Sequence, residues 1–341
     1  MKVKGGMYMN HVAQVVDLIR SGLNPGQPRG SHGLKLVPLF GGAPAKEYLV
    51  AEEAFGAGLL SITEVEGGSV PEVAAVNSGE APVLLLDGEH IEGAMQNRVL
   101  NSTALIAAGH KTVLPVACVE YGRWHYEGRG AFAITDDIAY SRLRSKNAAS
   151  AATSARTEGS RRVDQGEVWD DVAHKHRERS VCSSPTGAMR DAFDISRGDI
   201  DEILDEFKTP APGQTGVIAC VSGRCVALDS FDRPETLSKL WTRLLRGYAM
   251  DALGSAPVSM QDGAVQRFLD EASSGETTSH DGIGLGMDVM LTMPTVVGHA
   301  LTWEGGVVHL ALFTRGENPT PERSTHKRTI ETPQRRRRYI R

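Results

Sequence analysis

The feature that most constrains this chain is a rhythm of short apolar runs. Residues 34–40, 59–65, 72–76 and 82–87 are each of strand length, and each is followed within two residues by Gly or Asn. A second set closes the chain at 215–222, 225–229, 286–293, 296–303 and 307–314, with Gly223-Arg224 and Glu304-Gly305-Gly306 as turns. Residues 111–120 give one more strand, where Pro115 argues for an edge or a bulge. Helical spacing occupies the gaps. Val168, Trp169 and Val172 can share a face, as can Ile200, Ile203, Leu204 and Phe207; Ser184-Pro185-Thr186 opens a helix carrying Met189, Ala192 and Phe193. The strongest periodicity runs through Leu237, Leu240, Trp241, Leu244, Leu245, Tyr248 and Ala249, and a shorter one through Val265, Phe268, Leu269 and Ala272. Residues 48–58 read as helix, and 139–162, rich in Ala, Ser and Arg without periodicity, as an exposed helix or a loop.

This order predicts an α+β fold: a β-rich sheet core with a helical insert and a long amphipathic helix. Residues 1–33 are expected to be a mobile leader. Residues 34–315 form a single domain, β-rich over 34–138, with the insert at 139–208 and an α+β part over 213–315; 316–341 is expected to be a disordered basic tail. With 40% hydrophobic and 23% charged residues the chain is of globular type, and no run approaches the ~20 apolar residues of a membrane span. Four cysteines are too few for a disulfide framework and fit a reducing compartment, so a cytoplasmic location is expected. The last 19 residues hold eight Lys or Arg against one Glu, which makes the remainder more acidic than the net −5 of the whole. Such a tail can attract nucleic acid or fold weakly onto its own acidic body.

Chemistry concentrates in two places. Between Asp87 and Asn101 lie Glu89, His90, Glu92, Gln96, Asn97 and Arg98, polar groups flanked by apolar strands, and such groups need partners or a ligand. Glu89, at a strand exit, is a candidate general base; Gln96, Asn97 and Arg98 can hold phosphate or carboxylate. The second place is Cys118, Glu120, Arg123 and Trp124, where Glu120 is a second acid/base candidate, Arg123 a second anion holder and Trp124 a stacking platform. Cys118 suits a small core residue better than a nucleophile. His90 and His125, with adjacent glutamates, and the pair Cys220 and Cys225 are conceivable metal ligands, yet no dedicated metal spacing occurs, and no metal is expected. Gly282-Ile283-Gly284-Leu285-Gly286 lacks the spacing of a dinucleotide loop, and no phosphate-loop or nucleophile-elbow motif occurs.

The combination Gly88-Glu89, Gly93, Gln96-Asn97-Arg98, then Pro115-Val116, Cys118-Val119-Glu120 and Gly122-Arg123-Trp124 resembles the ARG and Rhodanese-Phosphatase-superfamily-associated protein domain family. The resemblance runs on more loosely to about residue 315. It implies Glu89, Gln96, Arg98, Glu120, Arg123 and Trp124 as one clustered site, and association with ADP-ribosylglycohydrolases and rhodanese- or phosphatase-like proteins. Asn97 stands where many relatives carry Asp, which removes a carboxylate. It names no cofactor.

Two functions follow as expectations. One is binding, with hydrolytic processing, of a nucleotide or ADP-ribose-like small molecule in a polar pocket at strand ends, with Glu89 and Glu120 catalytic. The other is a non-catalytic binding or scaffold protein whose polar motifs form a structural hydrogen-bond network. Exposure separates them: an open cleft at Glu89, Arg98 and Glu120 favours the first, full burial the second.

Overall fold

The computed structural model describes residues 4–30, 33–123 and 127–316. Helix α1 (Lys4–Asp17) and a wider turn over Leu18–Gly22 lead into β1 (Leu23–Pro25) and β2 (Leu34–Gly41). Then come β3 (Leu49–Val50), α2 (Ala51–Gly56), β4 (Leu60–Glu64), β5 (Glu72–Asn77), β6 (Val83–Leu85), β7 (Glu89–Ala94), β8 (Arg98–Leu100), β9 (Ala104–Ile106), β10 (Lys111–Cys118) and β11 (Glu127–Ile138). Four helices follow: α3 (Ser141–Glu158), α4 (Gln165–Glu178), α5 (Met189–Ile195) and α6 (Arg197–Glu206). The chain then runs through β12 (Gly216–Val221), β13 (Arg224–Phe231), α7 (Pro234–Ala252), α8 (Ala264–Ala272), β14 (Glu276–Asp281), β15 (Ile283–Gly284), β16 (Met287–Thr292), β17 (Val296–Trp303) and β18 (Gly306–Thr314).

The strands make three sheets: an eight-stranded sheet in the order β1-β2-β12-β13-β18-β17-β16-β14, a closed barrel β10-β5-β4-β11-β7-β8, and a small sheet β15-β9-β6-β3. The fold is therefore α+β, as the order of runs predicted. The large sheet is antiparallel and covered on both faces, which is why its strands read as near-continuous apolar runs. On β2, Leu34 and Leu36 face the core shared with α7, while Val37 and Leu39 face the layer holding Phe268 and Leu269 of α8. Helix α7 lies between barrel and sheet, against β11 on one side and β12 and β13 on the other. Its long apolar stripe buries Leu237, Leu240, Leu244 and Tyr248. The barrel residues Ile62, Val73, Ile91, Leu100, Val116 and Phe132 share one core with Ala54 of α2, Val83 and Leu85 of β6 and Ile106 of β9.

Two expectations are corrected. The segment read as a leader packs against the large sheet: Val15, Ile19 and Leu23 are buried, and β1 pairs with β2. The Ala/Ser/Arg stretch is neither loop nor exposed helix. It is α3, whose buried face consists of Leu143, Arg144, Ser145, Asn147, Ala148, Ala151 and Ala155. Small and polar residues on the inner face erase the apolar periodicity that would have marked it. The basic tail lies outside the described residues.

Candidate functional site

The turn joining β7 to β8 carries Met95, Gln96 and Asn97, and Cys118 at the end of β10, with Glu120 and Arg123 in the segment after it, lies beside that turn. Arg123 Nη2 donates to Glu120 Oε2 at 2.7 Å and to Asn97 Oδ1 at 2.9 Å, while its Nη1 donates to the Ala94 carbonyl at 2.9 Å. Glu120 Oε2 also accepts the Asn97 backbone N–H at 3.0 Å. Gln96 Nε2 donates to the Glu120 carbonyl at 3.0 Å, and Gln96 Oε1 accepts from Arg98 Nη1 at 3.1 Å. Arg98 in turn faces Glu64 at 3.5 Å. Burial opposes the charged form of Glu120, but Arg123 and the Asn97 N–H outweigh it and hold the carboxyl below its ordinary range. Gly93, at φ +120°, lets β7 approach β11, because a Cβ there would lie 2.6 Å from the Ala131 carbonyl oxygen.

The structure thus brings together Gln96, Asn97, Arg98, Glu120 and Arg123, none more than 8% exposed. Glu89 does not join them. It sits at the opposite end of β7, five residues from Ala94 and about 17 Å away along an extended strand. There Glu89 Oε1 accepts from Arg243 Nη1 at 3.0 Å, and the same guanidinium reaches Glu52 at 3.3 Å. Burial pushes the Glu89 carboxyl up, with Arg243 pulling against it. Trp124 and His125 lie outside the described residues. His90 is buried against Thr135 at 3.0 Å, and burial lowers its imidazole pKa to about 4. Cys118 is buried, and burial raises its thiol. Cys220 and Cys225 do meet, with Sγ atoms 3.2 Å apart.

A second polar centre escaped the sequence reading. Arg144 of α3 bridges two carboxylates, binding Asp87 at 2.9 and 3.0 Å and Asp229 at 2.7 and 3.0 Å. Asp229 also accepts from Tyr248 and from His309 Nε2, the latter at 3.0 Å. Thr103 and His299 complete the cluster on the Asp87 side. Burial opposes both carboxylates, yet Arg144 overrides it, holding Asp87 and Asp229 below the usual carboxylate range. Gly88 makes the approach of Arg144 feasible: at φ +79°, a Cβ would lie 2.8 Å from Arg144 Cδ. Single histidines inside the apolar strands β17 and β18 were the available signal. Among the described residues, Asp87, His299 and His309 are a group whose ligand atoms all lie within 4.8 Å of one another.

A surface cleft of about 260 Å3, whose lining includes no residue of either centre, is formed by Glu72, Val113, Pro115, Arg161, Arg162 and Asp281 among others. Among the described residues, no helix is long and apolar enough to cross a membrane.

Fold and site together define an α+β protein in which a barrel is locked to a covered sheet by buried ion networks. Residues 22–313 match the model of the ARG and Rhodanese-Phosphatase-superfamily-associated Protein domain, and the chain belongs to that family. No curated protein and no solved structure matches it significantly.

Proposed function

We propose that this chain is a non-catalytic binding or scaffold module, and that its motif residues form a structural network. The observation carrying this reading is the closed pairing of the motif: Glu120, Arg123, Asn97, Gln96 and Arg98 are buried and bound to one another. A phosphate-binding site presents cationic groups to solvent; here both guanidiniums face internal acceptors instead. The separation of Glu89 from Glu120 by the length of β7 also argues against a paired general acid and base. The family description speaks of association with other superfamilies, which suits a module that works beside enzymes. Ligand or partner binding then falls to the surface. The cleft sets the Arg162–Glu72 pair, 3.4 Å apart, beside the half-exposed Val113, a mixed lining that suits a peptide-like ligand better than a polyphosphate.

The test uses Glu120→Gln and wild type in thermal-shift and turnover assays against NAD, ADP-ribose, cyclic nucleotides and sugar phosphates, with and without Mg2+. The reading expects no turnover by either protein and a lower Tm for the variant. Turnover by wild type that Glu120→Gln loses at unchanged Tm would establish the enzymatic alternative.

A further inference from the structure

We propose that Asp87, Thr103, His299 and His309 form a closed, four-coordinate site for a divalent metal of the zinc class. The donor atoms are Asp87 Oδ1, Thr103 Oγ1, His299 Nε2 and His309 Nδ1. A tetrahedral ion with bonds of about 2.0–2.1 Å holds its donors about 3.3–3.4 Å apart. Five of the six separations here are 2.8 Å for Thr103–His309, 3.3 Å for Thr103–His299, 3.4 Å for Thr103–Asp87, 3.4 Å for His299–Asp87 and 3.9 Å for His309–Asp87, and the sixth, between the two histidines, is within 4.8 Å. The first five average about 3.4 Å.

The proton inventory points the same way. With His309 donating from Nε2 to Asp229, its Nδ1 is a bare lone pair aimed at the Thr103 hydroxyl. Asp87 Oδ1, which accepts from Arg144 Nη2 at 3.0 Å, turns a further lone pair toward that hydroxyl, which has one hydrogen to give. A cation at the centre satisfies both at once.

The surroundings are those of a metal site beyond its ligands. His309 is oriented by a carboxylate, Asp229, which is itself fixed by Arg144 and Tyr248. Asp87 is held by Arg144 through both oxygens, Nε to Oδ2 at 2.9 Å and Nη2 to Oδ1 at 3.0 Å, which leaves Oδ1 its remaining lone pair for the ion. Two carboxylates face this single guanidinium, so the cage is electronegative. Phe231 stacks on the His309 ring, and the four ligand residues are at most 3% exposed. No position is open to substrate, which makes the role structural. His299 and His309 are diagonal neighbours on β17 and β18, whereas Asp87 follows β6 and Thr103 precedes β9. The ion therefore bolts the small sheet to the large one. Local spacing conceals such a site because its ligands are up to 222 residues apart.

Untagged full-length protein is examined by elemental mass spectrometry, and the wild type, stripped by chelator, is reconstituted with Co2+. The expected results are about one zinc-class ion per chain, falling below about 0.1 in His309→Gln, and the visible d–d bands of tetrahedral Co2+ without near-UV thiolate bands. If His309→Gln does not fold, the wild-type Co2+ spectrum decides. Absence of a tetrahedral spectrum, thiolate bands that would place the ion at Cys220 and Cys225, or full occupancy in folded His309→Gln would each overturn the proposal.

Discussion

Replacing Arg144 with Met should expose how much of the fold depends on buried ion pairing. Arg144 is 2% exposed and makes four contacts of 2.7–3.0 Å to two carboxylates, with its guanidinium also lying 4.6 Å from the Phe313 ring centroid. Methionine fills most of the volume, so the change isolates the loss of charge pairing from cavity formation. Removing the charged partner of one buried carboxylate costs about 3–5 kcal/mol, and here two lose theirs while Asp229 keeps Tyr248 and His309 and Asp87 keeps Thr103 and His299. The expected loss is at the upper end of that range, or a Tm lower by ~10 °C or more. Urea unfolding at pH 7 measures it, with Arg156→Met as the control on the same helix. Arg156 is 57% exposed and pairs loosely with Glu276 at 3.6 Å, so its loss should cost no more than about 1 kcal/mol. A deficit for Arg144→Met below about 1 kcal/mol, or equal to the control, would show that the buried pairing does not hold the fold together.

Three further outcomes follow from the same geometry. Gly88→Ala combines a left-handed φ of +79° with a 2.8 Å approach to Arg144, and should cost about 1–3 kcal/mol in urea unfolding; a neutral change would contradict the close approach. Glu120 has a depressed folded pKa, so its stabilisation is present above the unfolded value of about 4.3 and is lost as pH falls through the folded one. In Arg123→Met burial dominates and that pKa rises, so the stability gap to wild type should narrow between pH 7 and pH 4; a pH-independent gap would contradict the pairing. Of the four free cysteines only Cys182 is exposed, so a thiol titration of the native protein should give one fast equivalent, rising to four on unfolding.

Much of this architecture was legible from residue order. The runs at 34–40, 72–76, 111–120, 215–222 and 296–303 became strands because alternating or continuous apolar residues suit half-covered and doubly covered sheets alike. The stripe from Leu237 to Ala249 became α7 for the same reason of period. What failed was long-range or polar. Helix α3 hides its inward face behind Ala, Ser and Arg144, and α1 was discounted because the linker-like residues after it suggested separation from the core. The motif at 96–98 and 120–123 does converge, but Glu89 points elsewhere, since sequence proximity along β7 places it at the far end of a strand. Asp87, Thr103, His299 and His309 converge only through the docking of two sheets, which no local pattern records.

In the proposed reading the family motif holds the barrel together. A double-mutant cycle on Glu120 and Arg123, read by equilibrium unfolding of Glu120→Ala, Arg123→Ala and the double variant, tests it most directly. The 2.7 Å buried pair predicts strongly destabilised single variants and a coupling of about 2–3 kcal/mol. Single variants as stable as wild type, with a coupling near zero, would show that the motif is kept for a ligand and would contradict the structural reading.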